Sequence, residues 1–215
     1  MTKICTNALT LFGDKASLDS LKNLVGLDQD KFSFESIDPS PQELIDASKN
    51  DILTPRLVEK FGAMNINSWR LKEWGCVKDS WDVKILDESE MNQNNLSKAA
   101  KEKVDDIPED KKEQFLSLTS NINAAMSVVF SSVESPNHVI HKLSVKFPSI
   151  LIHYGYDSES EDVSGWVALK GGEQLGHQHY SNCLKNIRIH VEPHHDETSK
   201  LVEAMSSDDS DDDSN

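Results

Sequence analysis

The side chains of this 215-residue chain best suited to metal or nucleophilic chemistry are its eight histidines and three cysteines. His177-Gln178-His179 places two imidazoles on one face of any strand that contains them, because strand side chains alternate. His190, His194 and His195 follow, with Glu192 and Asp196 between and beside them, so nitrogen and oxygen donors for Zn²⁺ are within a short stretch. Cys183 is the only thiol near them. The reading is therefore that no cofactor is bound, with Zn²⁺ at His177, His179, His190, His194 and His195 as the alternative. His138 and His141 lie three residues apart on a predicted helix, where they flank its apolar face.

Covalent catalysis finds less to work with. Cys5 opens a predicted strand, and Cys76 follows a Trp-Gly turn where a thiolate could be exposed, but acidic surroundings raise a thiol pKa. Gly171-Gly172-Glu173 has the wrong sign and no lysine for a phosphate-cradling loop. Carboxylates are abundant but scattered. The three cysteines, odd in number and far apart with no Cys-x-x-Cys spacing, fit a reducing compartment.

Three of the four tryptophans fall in thirteen residues, Trp69 to Trp81. Each indole brings a large apolar area and an N–H that needs a partner, so the cluster marks either a packed corner or a recognition surface built on Trp69, Arg70, Trp74 and Trp81. Gly75 offers the positive φ of a tight turn, and Trp81-Asp82-Val83-Lys84-Ile85 alternates as a half-buried strand does.

These groups are positioned by elements that the rest of the sequence sketches. Residues 3 to 12 read as a strand. Asp14 caps a helix that Gly26 ends, and residues 31 to 37, KFSFESI, read as a second strand. Two helical pieces follow, Gln42 to Lys49 and Pro55 to Phe61, then a strand at 81 to 86. Residues 87 to 122 read as a polar insertion, mobile or carrying an exposed helix near Leu96 to Val104. Regular patterning resumes with a strand from Ala124 to Ser131. A helix follows that Ser135 caps, with Val139, Ile140, Leu143 and Phe147 on one face. A strand through Ile150, Ile152 and Tyr154 then pairs as a hairpin with VSGWVALK, residues 163 to 170. Two β-α-β units of this size predict an α+β fold, a ferredoxin-like split β-α-β sandwich with helices on one face of an antiparallel sheet. The domain boundaries read as 1–172 for this domain, 173–202 for a histidine-containing extension and 203–215 for a disordered acidic tail. Edge-to-edge pairing into a dimer is compatible with such a sheet.

Charge narrows the partners. The chain carries a formal net charge of −15, and removing the six acids of Glu203 to Asn215 still leaves −9. Such a field repels phosphate backbones, so direct nucleic-acid binding is disfavoured and a basic protein surface is the natural partner. The N-terminus lacks the pattern of a signal peptide, and no window approaches eighteen apolar residues, so the expected location is the cytoplasm.

Several segments in order carry a family resemblance: Cys5-Thr6-Asn7 with Leu9-Thr10-Leu11 and Gly13; FSFESIDPSPQEL, Phe32 to Leu44; Trp69-Arg70 with Trp74-Gly75; DSWDV, Asp79 to Val83; and FSSVESP, Phe130 to Pro136, followed by KFPSILIHYGY. Over residues 3 to 172 the chain resembles the YubB-type and Api-like ferredoxin-like proteins of plasmids and phages. It departs from them at Cys76-Val77-Lys78 and at Glu134. The resemblance implies a mobile-element origin, with the bacterial host cell as the place of that cytoplasm, and brings no catalytic residues. The expected function is that of an acidic, non-enzymatic interaction protein acting on a host or defence protein with a basic surface. The alternative is a small metal-dependent enzyme using the C-terminal histidines.

Overall fold

The structure, a computed structural model, describes residues 4–50, 55–90, 122–158 and 163–181. Six strands form one antiparallel sheet: β1 (Cys5–Gly13), β2 (Trp81–Glu90), β3 (Ala124–Ser132), β4 (Leu151–Ser158), β5 (Val163–Lys170) and β6 (Glu173–Ser181). Their order across the sheet is β2-β3-β1-β4-β5-β6. The first four positions are those of a ferredoxin-like sandwich, since β1 reaches β2 by crossing over β3, and β3 reaches β4 by crossing over β1. β5 and β6 extend the sheet beyond β4 as consecutive hairpins.

The helices are α1 (Lys15–Val25), α2 (Phe34–Ile37), α3 (Gln42–Lys49), α4 (Pro55–Phe61), α5 (Ile66–Trp74) and α6 (Asn137–Lys146). α1 is closed at both ends as its sequence predicts: Asp14 accepts a hydrogen bond from the Ser17 amide, and Gly26 takes the left-handed conformation. Leu18, Leu21 and Val25 of α1 and Val139, Ile140 and Leu143 of α6 face the sheet. There they meet Leu9 and Leu11 of β1, Met126, Val128 and Phe130 of β3, and Ile152 and Tyr154 of β4 in one core. At about 25 cal/mol per Å² of apolar area removed from water, this layer is the main source of stability.

Residues 31 to 37 are not a strand. The ladder positions beside β1 are taken by β3 and β4, so KFSFESI has no free strand to pair with. Ser33 instead caps the short helix α2 by accepting from the Ser36 amide, and Asp79 accepts from the Phe34 amide at 2.7 Å. Phe32 then stacks on Phe130 at 4.8 Å, and Phe34 meets Trp74 edge to face at 6.0 Å. The apolar alternation that resembled a strand is the pattern of residues plugging one end of the helix layer.

Two further expectations change. The α6 cap is Pro136, with no side-chain hydrogen bond, because the Ser135 hydroxyl is engaged with the Tyr154 phenol at 2.9 Å. The segment read as an extension beyond residue 172 begins with β6, which joins the sheet through residue 181. The remainder of that extension, the acidic tail and residues 91–121 of the polar insertion lie outside the described residues.

Candidate functional site

The tryptophan corner is a packed one. Trp69 and Trp74 ride on α5 and are buried, Trp74 completely, and they meet edge to face at 6.2 Å. The Trp74 indole donates to the Asp38 carbonyl at 2.9 Å, which satisfies its N–H inside the fold. Gly75 ends α5 at φ 88°, and a Cβ there would stand 2.8 Å from the Ser135 carbonyl oxygen. That close approach seats α5 on the chain entering α6. Arg70 lies over the Trp74 ring at 4.7 Å and donates to Glu35 at 3.2 Å and to Ser40 at 3.1 Å. A recognition surface built on Trp69 and Trp74 is therefore corrected: their area is already covered by the core, and only Arg70 and Trp81 of the four predicted residues keep partial exposure.

Cys76, next to this corner, is also buried. Burial first, and then the nearby carboxylate of Glu134, push its thiol up to about 12. The group is a core residue at neutral pH, not a nucleophile.

The concave feature of interest lies toward the other edge of the sheet, on the same helix-covered face, where α6 rests over β4 and β5 beside β6. A groove of about 340 Å³ opens there. Strand register explains what lines it. Tyr156, Gly165 and His179 form one row across three strands, and Tyr154, Val167 and His177 form the next. Gly165 has no side chain, so the Tyr156 phenol spans the row and meets His179 Nδ1 at 2.8 Å. A register shift between Ala168 and Leu169 of β5 leaves Leu175 as the extra residue of β6. Gln174 and His177, three apart in sequence, therefore share a face, and Gln174 Nε2 lies 2.9 Å from His177 Nδ1.

α6 supplies the opposite wall. His138 and His141 sit one helical turn apart and line the groove with Asn137. His138 Nδ1 donates to the Lys72 carbonyl and His141 Nε2 donates to the Gly172 carbonyl, both at 2.8 Å. The second contact ties α6 to the Gly171-Gly172 turn between β5 and β6, where both glycines have positive φ. The Gly172 amide also donates to Ser144 at 3.1 Å, and a Cβ on Gly172 would come within 2.5 Å of Val145. The turn is pinned against the helix at the closed end of the groove.

The structure thus brings His138, His141, His177 and His179 to one groove. His177 and His179 share a strand face as their spacing predicts, whereas His190, His194 and His195 lie outside the described residues. Among the described residues no group of three or more His, Cys, Asp or Glu side chains stands close enough to hold a metal ion. Sequence reasoning missed Tyr156 and Gln174, and it assigned His138 and His141 to the flank of an apolar face. The available signal was the coincidence of a His-x-x-His helix with a His-x-His segment, legible only once the β5–β6 hairpin is known to fold back beside α6. His153 is separate: it stacks on Trp166 at 5.4 Å on the other face of the sheet, and burial pushes its imidazole down. Among the described residues no helix is long and apolar enough to cross a membrane.

No family model matches the chain, and no curated protein matches it. Among solved structures it is similar to one described as the crystal structure of a protein api92 from Yersinia pseudotuberculosis, family-model DUF1281. The identity is 13%, the match covers 84% of this chain and 98% of that one, and the TM-score is 0.36.

Proposed function

We propose that this chain is a binding protein whose recognition element is the groove between α6 and strands β4 to β6. The observation that supports this reading is the fixing of all four imidazoles that line the groove by one nitrogen each, at 2.8 to 2.9 Å. The volume is that of a small-molecule site, and an apolar floor of Val167 and Leu169 sits under convergent polar groups. Among the described residues no serine, threonine or cysteine lines the groove, and its histidines hold carbonyls, an amide and a phenol, not an aliphatic hydroxyl or thiol poised for attack. Binding is therefore better supported than covalent catalysis.

The test is thermal unfolding of the full chain against a panel of neutral, cationic and anionic small molecules, beside the double variant His141→Ala/His177→Ala. A ligand at a hundred times its Kd adds about 2.7 kcal/mol of stability. The expected result is stabilisation by one class of compound that the variant does not show. Equal stabilisation of both proteins would place recognition elsewhere.

The charge of the chain favours a second activity on a different surface, that of an acidic interaction protein of phage or plasmid origin acting in a bacterial host. Its partner would be a nucleic-acid-handling or defence protein, whose basic surface complements a body that carries −9 without its tail. With Trp69 and Trp74 in the core, contact would fall on exposed side chains such as Met64 and Leu71 around α5 and on the carboxylates of the α1 to α3 region. A pull-down from host lysate at low and high salt tests this. A specific partner released by salt supports it, and none at low salt overturns it.

A further inference from the structure

The groove is unusual for so acidic a chain because, among the described residues, the side chains that line it include no aspartate or glutamate, and no lysine or arginine. Charged groups do stand on the surrounding elements, but they are turned to other contacts. On α6, Lys142 bridges Asp38 and Glu73, and Lys146 donates to the Ile37 carbonyl. On α5, Lys72 pairs with Glu73. Asp157 follows Tyr156 on β4 and so points to the opposite face of the sheet. Lys170 and Glu173 stand across from each other at the β5–β6 turn. Among the described residues that line the groove, the groups able to present charge to it are the four imidazoles.

Their tethers are compatible with a second proton on every ring. The Lys72 and Gly172 carbonyls can only accept, so His138 carries its hydrogen on Nδ1 and His141 on Nε2. Protonation of the opposite nitrogen turns a lone pair into a donor and leaves the inner bond in place. The partners of the strand histidines serve either ring state, because the Tyr156 hydroxyl donates or accepts and the Gln174 amide does so by turning over. A cationic ligand would find no carboxylate among the described lining residues. An anion would find up to four donors of charge-assisted hydrogen bonds on two facing walls.

We infer that the groove takes a small multivalent anion bearing phosphate or carboxylate groups, held by hydrogen bonds from His138, His141, His177 and His179. The inference rests on the groove being the recognition element. Imidazole changes charge between about pH 5 and 8, so affinity is highest on the acid side of that range and falls as pH rises through it. The anion favours the charged rings, and by linkage each ring that charges on binding takes up a proton.

The experiment is calorimetric titration of the full chain with inorganic pyrophosphate and, separately, with citrate, at about pH 6 and about pH 8, on either side of the imidazole range. Buffers of different ionisation enthalpy report the protons taken up. The expected result is binding at least about tenfold tighter at the lower pH, with about one proton or more taken up per anion. His141→Gln/His177→Gln should lose this binding, and His153→Gln, on the other face, should keep it, with unfolding midpoints confirming that both variants fold. Preference for one probe tells phosphate from carboxylate. Pyrophosphate and citrate both failing at pH 6, equal affinity at the two pH values, or binding that the groove variant retains would overturn the inference. A neutral or cationic compound that stabilises the wild type and not the groove variant would overturn the anion and leave the groove reading standing; stabilisation by no class of compound would remove both.

Discussion

Two polar clusters lie on the same side of this sheet, and they differ in what the fold leaves unused. Around Asn7, in the core, every bond is internal. Its amide donates to the Cys5 carbonyl at 3.0 Å, the Phe130 carbonyl at 3.3 Å and the Ser132 hydroxyl at 2.8 Å, and its oxygen accepts from the Tyr154 phenol at 2.8 Å. In the groove each imidazole has one nitrogen engaged among the described residues, and all four residues line the cavity. A closed network specifies a fold, since its members cost stability if any partner is lost, and an open one is available to something else.

The contrast can be broken from the closed side. Trp74→Ala, beside that network, removes the largest fully buried side chain and strips Arg70 of the ring it covers. A loss of about 3–5 kcal/mol in unfolding free energy is expected, measured by denaturant titration. A loss under about 1 kcal/mol, the range of surface changes, would mean that the corner is not core. Asn7→Leu comes next. It fills the space but leaves the Ser132 hydroxyl and the Phe130 and Cys5 carbonyls with one fewer partner each, for a cost of about 1–3 kcal/mol by the same titration.

How far these clusters were legible from sequence follows from the range of the interactions that make them. α1 is read directly because Asp14, Leu18, Leu21, Val25 and Gly26 are a local pattern with local partners. α2 is misread because what decides it is Asp79, 45 residues away, accepting from the Phe34 amide. The tryptophan corner could be located but not turned inward or outward, since its burial depends on α6 packing against α5. The groove was least legible of all. His138 and His179 belong to elements separated by two strands, and only the hairpin turn at Gly171-Gly172 and the missing side chain at Gly165 bring their surroundings together. No local periodicity encodes that.

A pH-dependent test separates a paired cluster from an open one. Lys142 donates to Asp38 at 2.8 Å and to Glu73 at 2.5 Å. The Lys142 hydrogen bond holds the Glu73 carboxyl below its ordinary value, against the opposing effect of burial. Burial pulls the Lys142 ammonium down, but its two carboxylate bonds outweigh that and raise it. A depressed carboxyl stabilises the fold above its unfolded value of 4.5 and loses that contribution as pH falls through its folded value. A raised ammonium stabilises below 10.5 and loses its contribution as pH climbs past its folded value. Lys142→Met should therefore cost a steady amount between those limits, about 1 kcal/mol because the pair is partly exposed, and the difference from wild type should shrink at both ends. A difference that grows on acidification would contradict the pairing.

The smallest expected effect on stability is in the groove, and its smallness is the informative part. His141→Ala/His177→Ala removes two exposed imidazoles, each with one ring nitrogen bonded among the described residues. What is lost inside is one bond to the Gly172 carbonyl and one to the Gln174 amide, both at the solvent boundary where water replaces the partner. The unfolding free energy should change by no more than about 1 kcal/mol. The same substitutions made at Asn7 and Tyr154 would be severe, because no water reaches those groups. If the groove variant unfolds as readily as Asn7→Leu, the imidazoles are structural and the two clusters are one kind of object. If it folds as the wild type does and loses ligand, four histidines are held in place at little benefit to stability, which is the pattern of a site kept for binding.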